Sequence, residues 1–161
     1  MTNAKSNKSK NITSDFELWK LLDHARSAIS RPREVELAQI GLTPEQAAVL
    51  HTLQFLGGSA SYDDIADNTM RQYNSVATLV NRMTRLGTLQ KIKKAPDKKN
   101  KVIMTEKGID IYKKIPMRSI EMAFSVLSTK QKEDLAFILE QLISKGRDMM
   151  GLNYKLPFLP D

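Results

Sequence analysis

Apolar residues recur three and four apart along most of this chain and alternate with polar ones only in a short central stretch. The first pattern predicts amphipathic helices, the second a little strand. Ser14 and Glu17 have capping-box spacing ahead of Phe16, Leu18, Trp19, Leu21, Leu22, Ala25 and Ile29. They predict a first helix ending near Arg31-Pro32, with a further turn or two between Glu34 and Ile40. Thr43, Pro44 and Gln46 open "LTPEQAAVLHTLQFLGG", a second helix with a cap, a first-turn proline and a capping box. Gly57-Gly58 ends it. Ser61 caps a short third helix, whose Asp63 and Asp64 suit its positive end. Ile65 and Ala66 face inward.

From Gln72 the pattern is sharper. Val76, Leu79, Val80, Met83 and Leu86 make one apolar face, and Gly87 is placed to stop the helix. The opposite face carries Asn74, Ser75, Thr78, Asn81, Arg82 and Arg85, with no acid among them. "TLQKIK" and "KVIM" then read as two short strands joined by the turn "APDKKN", with Leu89 and Ile92 the candidates for burial. Thr105 caps a long helix that Pro116 should kink or break. Ser128 and Gln131 box a last helix, striped by Leu135, Ile138, Leu139, Leu142 and Ile143. The fold class is mainly α with a small β-hairpin. The expected division is a disordered basic arm (1–14), an N-terminal helix (15–42), a central helical and hairpin unit (43–108), and C-terminal helices with a tail (109–161).

A chain of 161 residues supports one domain with a core. There are no cysteines, which removes disulfides and thiolate chemistry. The arm "MTNAKSNKSKNITSD" has lysines but no apolar core behind them, so it is not a secretory leader. No apolar run approaches a membrane span, and the cytoplasm is the expected location. His24 and His51 are far apart, nothing has zinc spacing, and no glycine loop is built for phosphate. Asp63 and Asp64 are adjacent, hence about 100° apart on a helix, and do not form a carboxylate pair. No nucleophile, base and orienting group assemble. The reading is therefore not an enzyme, with no catalytic residues, metal or cofactor.

Charge adds the positive evidence. The net charge is +7. Nine lysines and three acids lie between Thr88 and Lys114, so the excess concentrates on the hairpin and the start of the long helix after it. A short capped helix, a turn and a second helix have the order of a helix-turn-helix. Amides and hydroxyls can pair with base edges, while arginine takes guanine or phosphate. A lysine-rich hairpin beside such a helix suits the sugar–phosphate backbone or the minor groove.

Between Gly41 and Gly108 the sequence resembles the MarR family of winged-helix transcription regulators. "GLTPEQAAVLHTL" is similar to that family's second helix, "VATLVNRMTRLGTLQK" to its recognition helix and the strand after it, and "PDKKNKVIMTEKG" to its wing. There are departures. Thr88 and Lys91 stand where the family usually has a hydrophobic residue and an arginine. Lys99 replaces the wing arginine, and the wing is one residue shorter. The resemblance implies a winged helix-turn-helix with N- and C-terminal dimerisation helices. It also implies a homodimer on a pseudo-palindromic operator in double-stranded DNA, acting as a repressor. In it Asp97 would orient a wing lysine, and Lys98, Lys99 or Lys101 would reach the groove. Lysine lacks the planar fork, so its pairing with Asp97 would be looser.

The expected base-facing residues are Gln72, Tyr73, Asn74, Ser75 and Thr78. Arg71, Arg82, Arg85 and the wing lysines are expected on phosphates, and Asn81 and Lys91 belong to the same DNA-binding surface. Tyr73 has a second reading, packed under the helix start. Family members often bind a small aromatic ligand between the dimer helices and the winged domain; here Trp19, His24, His51, Phe55 and Met117 could border that cleft. The alternative function is a winged-helix protein-interaction module without specific DNA binding.

Overall fold

A computed structural model describes residues 14–92 and 100–152. The basic arm up to residue 13, the wing residues Asp97, Lys98 and Lys99, and the end of the C-terminal tail lie outside them. The elements run α1 (Asp15–Ala38), α2 (Pro44–Phe55), β1 (Ser59–Ser61), α3 (Tyr62–Thr69), α4 (Tyr73–Arg85), β2 (Leu89–Lys91), β3 (Lys101–Met104), α5 (Glu106–Lys113), α6 (Arg118–Phe124) and α7 (Thr129–Met150). Caps place the helix starts where the sequence put them. Thr43 and Gln46, and Ser128 and Gln131, form reciprocal capping boxes, and Ser14 and Thr105 accept from the third residue of their helices. Ser61 makes a further box with Asp64.

The core lies between α2, α3, α4 and the sheet. Leu50, Leu53, Ile65, Val76, Val80, Met83 and Val102 are fully enclosed there. Helix α4 turns only part of its predicted face inward: Leu79 is half-buried, and Leu86 is 48% exposed. The reason is position. Leu86 is the C-cap residue, beyond the last residue of α4.

Three expectations change. The sheet has three antiparallel strands in the order β1-β3-β2, not two. Strand β1 is Ser-Ala-Ser, with no β-branched or alternating signal, and forms because β3 offers it an edge: Ala60 lies opposite Val102. Ile92 is 41% exposed while Leu89 is buried; three residues apart on a strand, the two face opposite sides. Helix α1 does not end at Pro32 but continues to Ala38. Proline removes one backbone donor; beyond it, Arg33 donates to the Pro116 carbonyl and pairs with Glu36 at 3.0 Å, and Ser119 donates to Glu36, so the second half of α1 is tied to the start of α6. Pro116 does break the helix after Thr105, and α5 and α6 are separate.

Outside the core, Phe16, Leu18, Trp19 and Leu21 on α1 and Phe137, Ile138 and Leu142 on α7 stand more than half exposed in the single chain. Phe137 apart, these belong to the faces the sequence pattern marked for burial.

Candidate nucleic-acid interface

The site is the outer side of α4 with the stem of the hairpin beside it. Helix α3 ends at Met70, whose backbone is left-handed (φ 51°), the one non-glycine residue with positive φ among those described. The turn closes through the Arg71 N–H to the Ala66 carbonyl at 2.9 Å. Gln72 then caps α4 in extended conformation, with no side-chain bond to the helix end. Three buried residues, Val76, Val80 and Met83, clamp the inner side. Asn74, Ser75, Thr78, Asn81, Arg82 and Arg85 are exposed, together with Arg71, Gln72 and Tyr73. No acid lies in the first turn of α4, and Arg82 and Arg85 lie in the last.

Individual partners refine this surface. Thr78 donates its hydroxyl to the Asn74 carbonyl at 3.0 Å. Its oxygen lone pairs and methyl remain outward, to accept from a base amine or touch a thymine methyl. Arg71 pairs with Glu45 at the start of α2, 3.2 Å away, with both side chains partly exposed. An exposed pair of this kind contributes about 0–1 kcal/mol, so it leaves Arg71 available to a phosphate. A hydrogen bond from its own backbone N–H holds the Glu45 carboxyl below the usual carboxylate range, against the effect of burial and with help from Thr43 and Arg71. Tyr73 opens α4. It stacks at 5.8 Å on the buried Tyr62, and its hydroxyl accepts from Asn100 at 3.2 Å. Burial, then the neighbouring Tyr73, pushes the Tyr62 phenol up. Lys91 and Lys101 are exposed on β2 and β3. Glu45 and Asn100 carry no sequence signal for this site, because each reaches it from a distant part of the chain.

The five residues expected at a ligand cleft do not share one cavity. His51 and Phe55 line a cavity of ≈ 650 Å³ between α1, α2 and the α3–α4 turn, with Arg26, Arg33, Glu45 and Arg71 also on its wall. Trp19 and His24 lie in the first half of α1 and Met117 in the α5–α6 connection, all three outside it. The His51 ring stands edge-on to Tyr112 at 5.3 Å. Burial, and secondarily Arg33, pushes its pKa down. Among the described residues no group of histidines and carboxylates could hold a metal ion, and no helix is long and apolar enough to cross a membrane.

Residues 42–108 match the family model for a winged helix DNA-binding domain. The central unit of this chain is a winged helix DNA-binding domain. No curated protein matches by sequence. Solved structures extend the winged-helix likeness to the flanking helices. The MarR-family regulator AbsC of Streptomyces coelicolor superimposes with a TM-score of 0.76 at 19% identity, over 86% of this chain and 99% of AbsC. The organohalide-sensing regulator RdhR, bound to 2,4-dichlorophenol, gives 0.73 at 24%, over 90% of this chain and 88% of RdhR. A mutant of E. coli MarR bound to operator DNA gives 0.70 at 14%, over 78% and 93%. The winged-helix chain therefore has the MarR-family fold, from α1 through α7.

Proposed function

We propose that the protein is a dimeric, sequence-specific DNA-binding transcription regulator that represses by occupying a promoter. Helix α4 enters the major groove and the lysine-rich wing meets the minor groove or backbone. The observation that carries this reading is α4 itself. Its inner residues Val76, Val80 and Met83 are fully buried, so its position is set, while its outer side is amide, hydroxyl and guanidinium. A protein-interaction module would need apolar anchors on that side, and Asn74, Ser75 and Thr78 do not supply them. The exposed apolar faces of α1 and α7 support a homodimer, since single soluble chains seldom leave such patches open. Two-fold symmetry then calls for a pseudo-palindrome with half-sites about 34 Å apart.

Titration of an operator selected from genomic fragments tests this. Asn74→Ala should relax the base preference, at about 1–3 kcal/mol per lost contact. Lys98→Ala with Lys99→Ala should weaken binding to all sequences alike. With ~8 phosphate contacts per dimer, log affinity falls with log salt at a slope of about −7. No binding to duplex DNA at low salt, or the reverse division of effects, sinks the reading.

A small-molecule effector fits the same proposal. The His51–Phe55 cavity has the volume of a ligand pocket and shares Arg71 with the DNA-facing surface. RdhR is seen with a chlorophenol. Calorimetric titration with phenols, with and without operator, tests this; equal affinity in both arms excludes an inducer.

A further inference from the structure

We infer that Tyr62, Tyr73 and Asn100 form a clamp that sets the wing against the recognition helix, and that Tyr73 is a positioning residue for DNA reading rather than a base contact. The inference rests on the DNA-binding reading above and specifies how its two contact elements are held in register.

Asn100 stands one residue before β3, at the stem of the wing. It makes two connections. Its backbone carbonyl accepts the Tyr62 N–H at 3.0 Å. Its side-chain Nδ2 donates to the Tyr73 hydroxyl at 3.2 Å, across 27 residues of sequence. Tyr62 and Tyr73 are the first residues of α3 and α4, and their rings meet at 5.8 Å and 41°. One asparagine therefore ties the starts of both helices of the helix-turn-helix to the wing stem. Across the stem, the Ile92 N–H donates to the Lys101 carbonyl at 3.0 Å. Lys101, next to Asn100, is exposed.

The direction of the Tyr73 ring follows from its place in the helix. Helical side chains lean toward the N-terminus, which carries a first-turn aromatic back over the α3–α4 turn and onto Tyr62. Base-reading side chains share that lean but project from the outer face of α4, where Asn74, Ser75 and Thr78 are exposed. The tyrosine oxygen accepts from Asn100, and both side chains are exposed enough that their bond adds little to stability. Its consequence is orientational. A two-point contact with a duplex requires the wing and α4 to present their groups at one fixed spacing, and a wing joined only by its strands would have to be ordered on binding.

The test uses the full-length chain with three variants: Tyr73→Phe, which keeps the ring on Tyr62, Asn100→Ala, and the double substitution. Anisotropy titrations against the selected operator should show each single variant weakened roughly fivefold per half-site, the ratio that re-ordering about one freed residue of the stem on binding corresponds to. The double variant should be no weaker than the worse single, because both remove the same link. Additive losses would assign the two residues independent contacts and overturn the clamp, as would full affinity in either single variant. On the free protein, amide hydrogen exchange at Tyr62 and Ile92 should quicken in both single variants at an unchanged melting temperature. Unchanged exchange at those amides also overturns the clamp. A wild-type protein that ignores duplex DNA refutes the DNA-binding reading instead, and the exchange measurement then decides the clamp.

Discussion

Gly108 holds α5 against Thr88, the residue before β2, and Gly108→Ala measures how tightly. A β-carbon built at Gly108 falls 2.2 Å from the Thr88 carbonyl oxygen and 3.2 Å from its carbon. An ordinary carbon–oxygen contact would require a retreat of about 1 Å, in an interior that resists overpacking. Thr88 is not free to retreat. It is buried, its N–H and hydroxyl both donate to the Met83 carbonyl at 3.0 Å, and its own carbonyl accepts the Thr105 N–H at 3.2 Å. Two effects oppose each other. Alanine is the better helix former by about 1 kcal/mol, whereas overpacking costs about 1–3 kcal/mol, here toward the upper end because the obstacle is backbone. The net expectation is a loss of about 2 kcal/mol. In a domain of this size that lowers the melting temperature by roughly 4–8 °C. Thermal unfolding followed by circular dichroism, at one fixed protein concentration, reads it directly. Gly146→Ala is the reference: it also lies within a helix, but no described atom stands within 4 Å of its missing β-carbon, so propensity alone should raise the melting temperature. A Gly108→Ala protein as stable as wild type would refute the close-approach argument.

Met83→Ala, at a site with no exposure on the inner side of α4, should cost about 2–5 kcal/mol in denaturant unfolding and weaken duplex binding by loosening the helix; a loss below about 1 kcal/mol, outside the range for buried truncations, would mean α4 is not clamped as described. His51 predicts a pH effect. Burial, and then Arg33, lowers its pKa below the usual 6.5, so the unfolded chain takes up a proton more readily than the folded one. The folded state is therefore favoured above that value and loses stability as pH falls through and below it. His51→Gln should flatten unfolding free energies measured between about pH 7.5 and 5.5, the range that brackets an ordinary histidine; an unchanged slope would remove His51 as the source.

Local chemistry determined most of this molecule before any packing was known. Caps such as Thr43, Ser61 and Ser128 and stops such as Gly87 act within one turn of chain, so their signal is contiguous in sequence. The amphipathic period of α4 placed Val76, Val80 and Met83 inward and Asn74, Ser75 and Thr78 outward, because a helix distributes its faces by spacing alone. What tertiary structure decided are the pairings between distant segments. Strand β1 exists only because β3 presents an open edge to Ser-Ala-Ser. Pro32 is carried inside α1 while the segment beyond it is anchored to Pro116 and Ser119, 83 residues away in sequence. Leu86 stays exposed because burial depends on what a neighbour covers, which periodicity does not encode. Arg71 meeting Glu45, and Tyr73 meeting Asn100, are likewise contacts between side chains with no mutual sequence signal. A residue's own helix or strand follows from its near neighbours; its partner follows only from the three-dimensional path that brings remote parts of the chain together.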